Sequence, residues 1–133
     1  MAASIKTTGS FRLPGNICLP PIDTDDIGRS AAAVIAAGGV GHEGKAYEMS
    51  GPERLSGPAF AAAFALALGR PITHVDVPID EFVARLPNFA ADLMRYLDSE
   101  GVPAVPLSSD VATLTGRVTS FPEWLEAHKA SFL

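Results

Sequence analysis

Apolar residues recur along most of this chain at helical spacing, and glycine or proline separates one run from the next. Ile27, Ala31, Val34 and Ile35 stand at i, i+4, i+7 and i+8, which predicts a helix with one buried stripe. Asp23 or Thr24 is its cap, Asp25 and Asp26 lie in its first turn, where carboxylates offset the positive end, and Gly38 and Gly39 end it. Ser56 and Pro58 open a second helix in which Phe60, Phe64 and Leu68 share a face. Alanine fills most of the rest, so this helix packs on more than one side, and Gly69 stops it. After Pro78, the positions Ile79, Phe82, Val83 and Leu86 repeat the pattern, and Phe89, Leu93, Tyr96 and Leu97 repeat it again from Asn88. Ser108 or Ser109 starts a short helix with Val111 and Leu114, closed by Gly116. Ser120 and Glu123 make a capping box for a last helix carrying Phe121, Trp124, Leu125 and His128.

Two runs read as strands. "KAYEM" follows the "GHEG" turn and precedes the "SGPE" turn, and "PITHVDVP" alternates, with Thr73, Val75 and Val77 on one side and Ile72, His74 and Asp76 on the other. Residues 1–16, with Gly9, Pro14 and Gly15, read as a flexible N-terminal arm ahead of a single domain over 17–133. The sum is an α/β chain with about five helices and two to three short strands, mostly parallel because helices separate them. So few strands do not make a stable open sheet.

Composition narrows the function classes. A chain of 133 residues fits one domain, and a formal charge of −5 lacks the basic patch that nucleic acid demands. No apolar run reaches the length of a membrane span, and the N-terminus has no secretory pattern. The single cysteine, Cys18, forms no internal disulfide, so the expected compartment is the reducing cytoplasm.

The residues alone assemble no active site. Neither a dinucleotide fingerprint nor a P-loop is present, and the glycine-rich stretch Gly38–Gly44 follows a helix and precedes a strand. A phosphate cradle has the opposite order, strand, loop and helix N-terminus. His42, His74 and His128 have no partners at metal spacing. The "DTDD" stretch, Asp23 to Asp26, reads as helix capping in preference to a divalent metal site. Ser56 lies outside a nucleophile elbow, and no tyrosine is followed four residues on by lysine. No catalytic, cofactor-binding or metal residue is expected.

The ordered set of signals resembles the C-terminal half of the NmrA-like, atypical short-chain dehydrogenase/reductase family. The resemblance is carried by Asp23, Asp26 and Ile27, then Gly44, Lys45 and Tyr47, then "GPE-LS" from Gly51 to Ser56, then "LGRPI" from Leu68 to Ile72, Val77 and Pro78. The ending also fits, with Thr115, Gly116, Arg117, Ser120 and Phe121. It spans about residues 11–133 and omits the N-terminal Rossmann half that holds the dinucleotide pyrophosphate in that family.

What the resemblance implies is a partial Rossmann-like C-terminal segment of an NAD(P)-dependent oxidoreductase, truncated or split and not catalytic alone. It makes Tyr47 to Met49 a late strand of the sheet and "FRLPGN" a border of the substrate cleft, with Phe11, Leu13, Pro14 and Asn16 lining it. NAD(P) is the cofactor of the intact family, and none is expected on this chain alone. The expected partner is a second copy, as a homodimer, or a separate Rossmann half. The alternative is a non-catalytic module that binds a small ligand or another protein.

Overall fold

The computed structural model describes residues 1–100 and 106–133. Among them are seven α-helices and four short strands. Helix α1 (Ala2–Thr8) leads into strand β1 (Ser10–Arg12), followed by β2 (Cys18–Leu19) and α2 (Thr24–Ala36). Strand β3 (Leu55–Ser56) runs directly into α3 (Gly57–Leu68), then come β4 (Thr73–Val75) and α4 (Ile79–Val83). Helices α5 (Asn88–Glu100), α6 (Asp110–Thr115) and α7 (Phe121–His128) follow, and a 3₁₀ turn over Lys129–Phe132 closes the chain. The class is α/β, as the residue pattern predicts.

Strands β1 and β4 pair in parallel, with Phe11 opposite His74, across a crossover that contains α2 and α3. Strands β2 and β3 pair antiparallel, Cys18 opposite Ser56. Among the described residues neither two-stranded sheet has a further strand on its outer edges.

The core forms around α3. Ser56 accepts the Ala59 N–H through Oγ, and Pro58 occupies the first turn, where its missing N–H costs nothing. Phe60 and Phe64 then meet Phe121 of α7 edge-on, at ring-centroid distances of 4.9 and 5.5 Å. Phe132 packs on Phe64 at 5.0 Å and Phe11 approaches it from β1 at 6.1 Å. Ile5, Leu13, Ile17, Leu55, Ile72 and Leu125 complete the buried set. Burying each such side chain contributes about 1.5–3 kcal/mol before chain entropy is counted. The expected capping box holds α7: Ser120 Oγ accepts from the Glu123 N–H, and Glu123 accepts from the Ser120 N–H at 2.8 Å. Those bonds from the Ser120 amide and hydroxyl hold the Glu123 carboxyl below its ordinary range.

Several expectations are corrected. Residues 1–16 are no loose arm: they contain α1 and β1, and Ile5 and Phe11 are buried. Ile5 anchors the segment, because its carbonyl accepts from the Arg70 guanidinium at 2.7 Å. "KAYEM" is not a strand. The Glu48 N–H donates to Asp110 Oδ2 at 2.8 Å, and the strand lies further on, at Leu55–Ser56.

Helix α2 is turned the other way from its apolar stripe. Its buried residues are Asp26 and Ser30, whereas Ile27 is 40% exposed and Ile35 76%. The Asp26 carboxylate decides this. It accepts from the Thr119 N–H at 2.6 Å and the Thr119 hydroxyl at 3.0 Å, and it pairs with the Arg29 guanidinium. The Ser30 hydroxyl donates to the Asp26 carbonyl at 2.8 Å. A buried carboxylate is tolerated only with such partners, so the helix faces its polar side inward against α6 and the segment before α7. The pattern from Asn88 behaves similarly: Leu97 is buried, and Phe89, Leu93 and Tyr96 are exposed.

Two substitution pairs test this packing. At Gly51 an added Cβ stands 1.8 Å from the Pro21 carbonyl oxygen, so Gly51→Val must push backbone apart. At Gly41 nothing lies within 4 Å and the only cost is its positive φ of 76°. We expect Gly51→Val to cost roughly 3 kcal/mol or more and Gly41→Val about 1–2 kcal/mol. Thermal melts compare them, and equal melting temperatures contradict the close approach. Asp26→Ala leaves the buried Thr119 N–H without an acceptor and should cost about 2–3 kcal/mol. Asp25→Ala, at an exposed first-turn position, should cost about 0.3–1 kcal/mol. Urea denaturation of both variants checks the order, and similar midpoints contradict the clamp.

Candidate functional site

Parallel pairing sets where a site can form. The carboxyl ends of β1 and β4 lie at one edge, and in open α/β sheets ligands collect at that edge. A hollow of about 620 Å³ lies there. Val77, just beyond β4, stands at its base with Phe11, and Arg12, the last residue of β1, stands at its rim. Glu81 and Phe82 of α4, with Arg85 and Leu86 after it, form one wall, and Met1 and Ser4 at the start of α1 form another. The volume lies in the range of small-molecule sites.

The lining divides by chemistry. Phe11 and Val77 are buried, and Phe82 and Leu86 are half-buried, giving an apolar floor. Arg12, Glu81 and Arg85 make a charged rim. Arg12 pairs with Glu81 across β1 and α4. Glu81 and Arg85 are four apart in sequence, the spacing of a helix-surface pair. Helix α4 ends at Val83, however, so Arg85 lies beyond it and makes no ion pair among the described residues.

The four residues expected to line a cleft fall in different places. Phe11 lines the large hollow. Leu13 is a core residue, its carbonyl accepting from His74 Nε2 at 2.7 Å. Pro14 and Asn16 line a separate hollow of about 200 Å³ with Asp76 and Asp98, where Asp76 Oδ1 accepts the Gly15 N–H at 2.7 Å. The "FRLPGN" segment thus borders two hollows instead of one. Arg12, Glu81 and Arg85 are missed by sequence reasoning. The one available signal is the alternation of Phe11 and Arg12 in a strand, which sends one side chain inward and the other to the rim.

The remaining candidates have structural roles. Asp23 caps α2 by accepting the Asp25 N–H at 3.1 Å, and Asp26 is the clamp described above, so capping and packing account for "DTDD". Among the described residues no group of three His, Cys, Asp or Glu side chains gathers to hold a metal. His42 Nδ1 contacts the Tyr47 hydroxyl at 2.5 Å, and His128 stacks on Trp124 at 4.7 Å. His74 covers Gly57 so closely that an added Cβ would lie 2.4 Å from its ring. Cys18 is half-buried in β2.

Neither the glycine stretch after α2 nor the start of α3 fits a dinucleotide pyrophosphate. The glycine stretch after α2 is folded on itself: the N–H groups of Gly38, Gly39, Val40 and His42 donate to Ile35, Val34, Ala37 and Gly39 carbonyls. They are not free to cradle a phosphate. The start of α3 is closed too, by the Ser56 hydroxyl, by Pro58 and by His74 over Gly57. Among the described residues no helix is long and apolar enough to cross a membrane.

No family model matches the sequence. The chain is 34% identical to an NAD(P)H azoreductase of Xenophilus azovorans, over 98% of its own length and 48% of that protein's. It is 31% identical to a (4-alkanoyl-5-oxo-2,5-dihydrofuran-3-yl)methyl phosphate reductase of Streptomyces griseus, over 98% of this chain and 49% of that one. Its fold superposes on the crystal structure of an NADPH-dependent quinone oxidoreductase from Escherichia coli with a TM-score of 0.77 at 25% identity, covering 97% of this chain and 49% of the other. The chain therefore spans about half the length of the curated relatives it matches, consistent with the C-terminal half of an NAD(P)-dependent reductase fold.

Proposed function

We propose that this chain supplies the substrate-side lobe of an NmrA-like, NAD(P)-dependent reductase and that the grip on the dinucleotide comes from a Rossmann half outside these residues. The observation that carries this reading is the match over nearly the whole chain to half of two reductases. The hollow at the carboxyl edge of β1 and β4 is the side on which a substrate would sit, and the closed amides after α2 and before α3 leave the pyrophosphate to another segment. On this reading the chain alone binds no NAD(P) and catalyses nothing. The alternative is a small-ligand-binding module without chemistry of its own, which would use the same hollow.

The lobe has surfaces for a partner. Ile27 and Ile35 on α2 and Val40 beyond it form one exposed apolar set, and Phe89, Leu93 and Tyr96 on α5 form another. Among the described residues no further strand pairs with the outer edges of β1 and β4, and unpaired edges invite one. The partner is a second copy of the chain or a separate dinucleotide-binding half. Light scattering behind a sizing column is expected to give a dimer, and a monodisperse monomer near 13.9 kDa with a sharp melt contradicts self-association.

Reconstitution tests the function itself. This chain is co-expressed with the part of the X. azovorans azoreductase that it does not match. The expected result is a co-purifying pair that oxidises NADPH in the presence of an azo or quinone acceptor. A pair that forms but turns over neither acceptor contradicts the reductase reading and leaves the binding-module alternative.

A further inference from the structure

We propose that the 620 Å³ hollow selects a ligand with a flat apolar body and one acidic group, with Arg85 as the residue that receives the acid. The proposal deepens the substrate-side reading of the hollow by naming the class of molecule it takes.

The body of the ligand follows from the floor. Phe82 and Leu86 around α4 present the apolar surface, and Val77 after β4 and Phe11 from β1 are buried beneath it. Phe82 is aromatic and half-buried, and such a ring stacks or meets edge-on with a flat, delocalised partner. Phe11 is itself held from behind, by Phe64 and by the His74 ring at 5.6 Å. Phe11 therefore backs the floor with a surface that a ligand does not have to organise.

The charge follows from the rim. Two arginines, Arg12 and Arg85, face one carboxylate, Glu81, so the lining is net positive in a chain of charge −5. Glu81 is already paired with Arg12. This pair fixes both side chains at one side of the hollow and cancels their charge locally. Arg85 has no carboxylate partner among the described residues. A guanidinium offers a planar fork that matches a carboxylate, sulfonate or phosphate edge through two N–H donors. Set beside an apolar floor that lowers the local dielectric, that fork favours an anion over a neutral or cationic analogue. One uncompensated guanidinium matches one acidic group.

The test uses three probes of one shape: 2-naphthoate, 2-naphthyl phosphate and neutral 2-naphthamide. Each is titrated calorimetrically into the full chain without cofactor or second protein. We expect at least one of the acids to bind and the amide to bind roughly 10-fold weaker or worse, as for loss of a charged hydrogen bond. The ratio of naphthoate to naphthyl phosphate affinity tells which acid the fork prefers. The preference for the acid should shrink as salt rises, because the rim is open to solvent. Arg85→Gln should abolish the acid-over-amide preference while leaving amide binding in place, and Arg85→Lys should restore part of it. Phe82→Ala should weaken acid and amide alike. Lys45→Gln, an exposed charge outside the hollow, should change nothing. The proposal is overturned if the amide binds as tightly as the acids, if Arg85→Gln keeps the preference, or if no probe binds. Because no cofactor is present, acid binding without turnover in the reconstituted pair would sink the reductase reading alone. Turnover by that pair with no acid preference would sink this proposal alone.

Discussion

The orientation of the whole molecule depends on one buried carboxylate. Asp26 has no exposed surface, and its partner Thr119 is 93 residues away in sequence. Its two bonds to Thr119 tie α2 to the segment that launches α7, and α7 in turn carries Phe121 and Leu125 into the aromatic core around α3. Breaking this link would strand a buried N–H, which is why the polar face of α2 wins the interior over its apolar one. The consequence is visible on the outside, where Ile35 is 76% exposed. A helix whose apolar stripe faces away from its own core is set up to meet another surface, and this connects an internal hydrogen bond to the proposal of a partner.

From that frame the site follows by geometry. The parallel pairing of β1 and β4 brings Phe11, Arg12 and Val77 to one edge, and α4 places Phe82 and Glu81 over it. The same topology makes the lobe one-sided. It has a floor and a charged rim for a small ligand, yet the start of α3 is capped and amides of the glycine loop after α2 are bonded internally. On the proposed reading the phosphate contacts of a dinucleotide come from a half outside these residues, and the chain matches about half of two reductases.

Much of the fold was legible in the sequence where a local rule decides the structure. The caps at Asp23 and Ser56, the capping box of Ser120 and Glu123, and the left-handed helix ends at Gly69 and Gly116 all stand as read. These depend on groups two to four residues apart. The failures share a different cause, a partner distant in sequence. Helix α1 lacks a side-chain cap and is held by Arg70 from across the fold, so residues 1–16 looked irregular. "KAYEM" lies between two turns as a strand would, but the Glu48 amide is taken by Asp110, 62 residues on. The stripe on α2 has perfect periodicity and the wrong face, because Thr119 was invisible to any local window. The site suffered likewise: Phe11 could be named from "FRLPGN", whereas Arg85 became notable only once α4 ended at Val83 and Glu81 turned to Arg12.

The central claim is that this lobe carries a substrate-side surface without a grip on the dinucleotide. Calorimetric titration of the purified, folded chain with NADPH and with NADH tests it most directly. The account predicts no saturable heat in the micromolar range for either cofactor. A micromolar dissociation constant for either one would show a dinucleotide site within these residues and contradict the account.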